Sequence, residues 1–60
     1  MYVEDSTRYT VVRLIGDDPR PYFDNFDSHQ EAYDFAMEVL SECRYCCINT
    51  VRSQKEVLKG

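Results

Sequence analysis

Hydrophobic and polar residues alternate in the first part of the chain, as they do along β-strands. Arg8 to Ile15 is rich in β-branched and aromatic residues, which predicts a first strand. The Gly-Asp-Asp-Pro sequence that begins at Gly16 is typical of a turn. Tyr22 to Phe26 forms a short second strand, and the prolines that precede it favour an edge position, because proline cannot donate a hydrogen bond within a sheet.

The period of the pattern then changes from two residues to three or four, which predicts a helix. Ser28 and Glu31 have the spacing of a capping box at its start. Apolar residues then follow one helical face, so this face should pack on the sheet. They are Ala32, Phe35, Ala36, Val39, Leu40 and Cys43.

Alternation resumes from Tyr45 to Arg52, which predicts a third strand. Asn49 would be costly in a core without partners, so the opposite face of this strand should meet the helix. That face carries Cys46, Ile48 and Thr50. Residues 54–60 are mostly polar and are predicted to fray.

These elements predict one α+β domain over residues 1–60, with residues 1–7 and 54–60 frayed. The order is β-β-α-β, and the three strands form an antiparallel sheet in the order 2-1-3. One amphipathic helix packs on one face of this sheet. The other face is left uncovered.

The uncovered sheet face is the first candidate binding surface. On strand 1 we expect Thr10, Val12 and Leu14 to face the helix, because the opposite set contains a central arginine. Apolar and aromatic side chains around an arginine are typical of interaction sites. The candidate residues are Tyr9, Val11, Arg13, Tyr45, Asn49, Val51 and Arg52. A partner protein, a weak homodimer or the C-terminal tail could cover them.

A row of acids on the helix is the second candidate surface. Its members are Asp27, Glu31, Asp34, Glu38 and Glu42. Such a row is usually a solvated helix face. Alternatively, the carboxylates could occupy a basic groove that normally holds nucleic-acid phosphates.

Charge narrows the range of partners. The net charge of the chain is −4. Residues 1–43 carry ten acids and three arginines, which gives −7, and residues 44–60 carry four bases and one acid, which gives +3. An acidic protein repels phosphate backbones, so direct nucleic-acid binding is not expected. No apolar run approaches a membrane span and Met1 to Asp5 do not resemble a signal peptide, so we expect a cytoplasmic protein without a membrane partner.

Three cysteines fall within ten residues and raise the question of metal or redox chemistry. Cys43 and Cys46 have a CxxC spacing, but it lies at the end of a helix, where the dipole does not favour a thiolate. The adjacent Cys46 and Cys47 should point to opposite sheet faces. We therefore expect Cys43 and Cys46 in the core, with a metal or redox protein as the alternative.

Other signs of catalysis are weak. His29 is near the start of the helix without an evident nucleophile, and the helical acids lack the glycine-containing loop of a calcium site. The sequence accordingly predicts no enzyme, no catalytic residue, no metal ligand and no cofactor.

The stretch from Phe26 to Leu40, followed by the sequence CINTVRS, resembles the small inhibitor of bacterial RNA polymerase carried by some short-tailed phages. The resemblance covers about half of the chain and rests on a capped helix with a Glu-Ala pair at Glu31 and on a last strand that ends in Val-Arg. It implies a β-β-α-β fold and a phage protein that acts in the host cytoplasm. In that family two arginines on the last strand contact the polymerase; Arg52 matches the second, and Thr50 stands at the first.

The sequence thus predicts a small acidic, non-catalytic protein that binds and inhibits a host macromolecular machine. RNA polymerase, a CRISPR effector and a DNA-processing enzyme are the candidate targets. A structural homodimeric adaptor is a further alternative.

Overall fold

The computed structural model describes residues 8–50 and 54–60 of the chain and shows an α+β fold. Its elements in chain order are β1 (Tyr9–Ile15), β2 (Tyr22–Phe26), α1 (His29–Val39), a 3-10 turn (Leu40–Glu42), β3 (Cys43–Thr50) and β4 (Lys55–Lys59). The strands form one antiparallel sheet in the order β2-β1-β3-β4, and α1 packs on one face of it.

The predicted turn joins β1 to β2. Gly16 adopts a φ of 51°, a conformation that glycine tolerates better than other residues. The Asp18 carboxylate accepts hydrogen bonds from the Arg20 backbone N–H at 3.0 Å and from the Tyr22 hydroxyl at 2.8 Å. These hydrogen bonds, with that of Arg20 first, hold the pKa of Asp18 below its usual value.

The helix begins as predicted but ends at Val39, so Cys43, which was predicted on its apolar face, instead begins β3. Ser28 is the N-cap, and its Oγ accepts a hydrogen bond from the Glu31 N–H at 3.2 Å. Ala32 and Ala36 are completely buried, and the partly buried Phe35 stacks on Phe26 with ring centroids 5.2 Å apart. Small alanines let the helix approach the sheet closely, while Phe35 fills the space beside them.

The two faces of β1 are the reverse of the prediction. Val11 pairs with Ile48 and Arg13 with Cys46, and all four side chains therefore lie on the helix side of the sheet. Val11 and Ile48 belong to the buried core cluster, and Tyr9 packs against its margin. The placement of Tyr9, Val11 and Arg13 on the uncovered face was wrong.

Arg13 explains the error, because its side chain is accommodated beneath the helix. Its Nη2 lies 2.9 Å from Asp24 Oδ2, and its guanidinium carbon lies 5.1 Å from the centre of the Phe35 ring and 5.6 Å from that of Tyr22. A carboxylate and two aromatic faces compensate for much of the lost hydration. A central arginine therefore does not mark a solvated face here.

The C-terminal segment also differs from the prediction. Lys55–Lys59 forms β4, which pairs antiparallel with β3, so residues 54–60 do not form a frayed tail and β3 is not an edge strand. Leu58 packs against the core, and Lys59 Nζ donates a hydrogen bond to the Leu40 carbonyl at 3.1 Å. Among the described residues, the sheet therefore has four strands, where the sequence predicted three.

Candidate functional site

The acids predicted to form a row are all exposed on the helix side of the molecule. Glu31, Asp34 and Glu38 project from α1, while Asp27 precedes it and Glu42 lies in the 3-10 turn. We call this surface the acidic helix face.

The carboxylates of the acidic helix face form no ion pair in the described chain; Lys59, which approaches the face, is bonded to the Leu40 carbonyl. Across residues 8–50 and 54–60, no lysine or arginine nitrogen comes within 4 Å of its five carboxylates. Gln30 Nε2 donates to Asp34 Oδ1 at 2.8 Å, which orients that carboxylate without neutralising it. The face therefore presents negative charge on a rigid helix.

The opposite side of the sheet is not covered by the helix, and we call it the sheet face. Strand register and side-chain alternation define its members. They are Thr10, Val12 and Leu14 of β1, Phe23 and Asn25 of β2, Tyr45, Cys47 and Asn49 of β3, and Lys55 and Val57 of β4.

A line of apolar side chains crosses the sheet face from edge to edge. The paired residues along it are Phe23, Val12, Cys47 and Val57, one from each strand. Phe23 is 61% exposed and Val57 is 53% exposed, so the two ends of the line project into solvent. We call these four residues the apolar row.

Polar residues lie beside the apolar row toward one end of the strands. Asn25, Thr10, Asn49 and Lys55 pair across the four strands, and Thr10 Oγ1 lies 2.6 Å from Asn25 Oδ1. Among the ten residues of the sheet face, lysine is the single charged type and no acid occurs. The apolar row is therefore bordered by polar residues on one side and by Leu14 and Tyr45 on the other.

The residues predicted for the uncovered face are therefore only partly brought together. Tyr45 and Asn49 lie on it. Val51 and Arg52 fall outside the described residues. The sequence reading missed Val12, Phe23 and Val57, and strand alternation could have found Phe23 once β2 was placed.

A groove of about 560 Å³ lies between the start of α1 and β4. His29 Nε2 is 2.8 Å from Glu56 Oε1 across it, and the imidazole meets Tyr9 edge-on and stacks on Tyr33, at centroid distances of 5.6 and 5.9 Å. His29 is exposed, as predicted. Its carboxylate partner comes from 27 positions further along the chain, so no local sequence signal could reveal this pair.

The three cysteines are free thiols, and the predicted division between two core thiols and one on the opposite sheet face is confirmed, although Cys43 lies in β3 and not on the helix. Cys43 and Cys46 belong to the core cluster, whereas Cys47 lies on the sheet face. Cys43 Sγ donates to the Val39 carbonyl at 3.2 Å, and burial raises the pKa of the Cys46 thiol. In the part of the chain that the structure describes, no three His, Cys, Asp or Glu side chains form a group that could hold a metal ion.

Comparisons of the chain with protein-family models, curated proteins and solved structures find no match. Within the described ranges, no helix is long and apolar enough to cross a membrane. The geometry and charge of the acidic helix face and the sheet face are therefore the basis for assigning a function.

Proposed function

We propose that this chain is a small non-catalytic inhibitor that binds a host macromolecular machine by direct protein–protein contact. The acidic helix face is the proposed binding surface, and nucleic-acid mimicry is the proposed mode of action. The observation that supports this most is the row of five exposed carboxylates without a lysine or arginine partner among the described residues.

The spacing of these carboxylates suits a groove that binds phosphates. Glu31, Asp34 and Glu38 are three and four positions apart, so their side chains stand about one helical turn, roughly 5.4 Å, from one another. Arginine and lysine donate to carboxylates and phosphates through the same N–H groups. A groove that binds a phosphate backbone can therefore accept this helix.

The rigidity of the helix favours binding. The Ser28 cap and the buried Ala32 and Ala36 fix α1 against the sheet. Little backbone entropy is therefore lost when the carboxylates meet a partner.

The target class follows from the chemistry of such grooves. RNA polymerase, CRISPR effectors and DNA-processing enzymes all hold nucleic acid in basic channels. The resemblance to a phage inhibitor of RNA polymerase favours the first of these as the target, but that family makes the contact with arginines of the last strand, so the resemblance does not support the acidic helix face as the binding surface. The raised pKa of Cys46 and the separation of Cys47 from the two core thiols favour binding over the cysteine-based alternative.

Neutralising the acidic helix face tests the proposal. The purified chain is added to transcription by bacterial RNA polymerase and to DNA cleavage by a CRISPR effector and by a restriction enzyme. We expect inhibition of one reaction, and we expect the triple variant Glu31→Gln, Asp34→Asn, Glu38→Gln to raise the half-inhibitory concentration by about 10- to 100-fold, from three charge contacts of about 0.5–1 kcal/mol each.

A charge-matched control separates a specific surface from net charge. The variant Asp17→Lys, Gln54→Lys changes the net charge by the same +3 at two exposed positions outside the acidic helix face. It should inhibit within about threefold of the original chain, because those positions do not face the target. Equal losses in the two variants, or no inhibition of any of the three reactions, would contradict the proposal.

A further inference from the structure

The sheet face has a composition that matches a second copy of itself. We propose that two copies of this chain associate through their sheet faces, with a twofold axis that runs parallel to the strands. This inference does not depend on the proposed function, because it uses the opposite side of the molecule.

The twofold axis brings matching side chains together. Strand order reverses across such an axis, so β2 of one copy lies over β4 of the other and β1 lies over β3. Phe23 then covers Val57 of the second copy. Val12 lies over Cys47 of the second copy, but Cys47 is only 2% exposed within its own sheet, so the apolar burial comes from Phe23 and Val57. The two most exposed members of the apolar row each gain an apolar neighbour.

The polar residues are also compatible with this arrangement. Lys55 and Asn25 occupy the two ends of one line across the sheet, so the axis places each Lys55 over Asn25 of the second copy. The ammonium group meets an amide oxygen instead of another ammonium group. Like charges are therefore not brought together on the paired faces.

Charge distribution favours this face over other contacts between copies. Each chain carries a net charge of −4, and the acidic helix face lies on the opposite side from the sheet face. Stacked sheets are about 10 Å apart, and each helix axis lies roughly a further 10 Å outward, so the two acidic faces stand about 30 Å apart. That separation is several times the Debye length of about 8 Å at physiological salt.

The size of the face indicates a weak dimer. Four strands at about 4.8 Å spacing and five residues at about 3.3 Å give a surface of roughly 19 by 17 Å, on the order of 300 Å² per copy. Stable interfaces bury roughly 800 Å² per partner. Association should therefore depend on protein concentration.

The first experiment is nuclear Overhauser spectroscopy across a broad concentration range. Phe23 and Val57 stand on opposite edges of the sheet, three strand spacings or about 14 Å apart, which is too far for a signal within one copy. We expect a cross-peak between the Phe23 ring and the Val57 methyl groups that grows with concentration. A dimer that lacks this cross-peak would overturn the proposed geometry.

The second experiment is sedimentation equilibrium of Val57→Glu. A carboxylate in the apolar row should raise the dimer dissociation constant by at least about tenfold, because it loses hydration beside the Phe23 ring. Met37→Glu is the control, since Met37 is an exposed apolar residue on α1, 41% exposed, and its substitution should leave the constant unchanged. Circular dichroism verifies that both variants are folded.

The outcomes of this second experiment are decisive. A strict monomer at the highest attainable concentration overturns the proposal. So does a dimer that Val57→Glu and Met37→Glu weaken equally. Selective loss in Val57→Glu supports it.

Discussion

Arg13 is held beneath α1 by three different contacts. Its guanidinium group bonds to Asp24 and lies near the faces of Phe35 and Tyr22, and its side chain is only 16% exposed. Its Nε–H is buried and has no hydrogen-bond partner among the described residues. The aliphatic part of the side chain and the stacked guanidinium group thus contribute packing at the edge of the core as well as charge.

Replacing this arginine should destabilise the protein. We expect Arg13→Ala to reduce the free energy of unfolding by about 2 kcal/mol, because it leaves a void beside Phe35 and removes the ion pair. Arg20→Ala is the matched control, since Arg20 forms an exposed ion pair with Asp18 and its side chain is 78% exposed; its effect should stay below about 0.5 kcal/mol. Urea denaturation measures both values, and similar losses in the two variants would show that Arg13 is not part of the packing.

Arg13 is also the residue for which the sequence led to a wrong prediction, namely which side chains of β1 face the helix. The two faces of β1 carry the equally apolar Val11 and Val12, so Arg13 was the feature that distinguished one face from the other. Because arginine was assumed to lie outside the core, the two faces were assigned the wrong way round. The compensating partners, Asp24 and Phe35, come from other elements. Asp24 and Phe35 come close to Arg13 only in the folded molecule, so no pattern in the neighbouring sequence could predict these contacts.

At the scale of elements, the sequence predicted a helix or turn correctly where several local features indicated the same element. The cap at Ser28 and the continuous apolar stripe predicted α1, and the Gly16 turn was equally explicit. β4 was missed because Lys55–Lys59 alternates poorly and contains three charged residues. Its stability depends on pairing with β3 and on the packing of Leu58.

Two neighbouring residues of β4 test whether this strand belongs to the core. Leu58→Ala should reduce the free energy of unfolding by about 2 kcal/mol, because Leu58 packs against the buried cluster. Val57→Ala, at a half-exposed position, should cost less than about 0.5 kcal/mol in dilute protein. Thermal unfolding followed by circular dichroism compares them, and equal effects would contradict the assigned orientation of β4.

At the scale of the whole molecule, the carboxylates of the described residues are unevenly distributed between the two sides of the sheet. The acidic helix face carries five carboxylates, whereas the ten positions of the sheet face include none. The helical row could be predicted because one element supplies most of it. The sheet face without acids could not be predicted, because it combines residues of four strands and depends on which side chains of β1 face the helix and on the presence of β4.

The ladder between β1 and β3 occupies the centre of the sheet and has consequences for folding. It pairs Tyr9 with Thr50, which are 41 positions apart, and closing a loop of that length costs roughly 3 kcal/mol of chain entropy. The β1–β2 and β3–β4 hairpins are local, but isolated hairpins are only marginally stable in water. We therefore expect a single cooperative transition, in which far-UV circular dichroism and tyrosine fluorescence change together with denaturant, and separate midpoints would show that one hairpin persists alone.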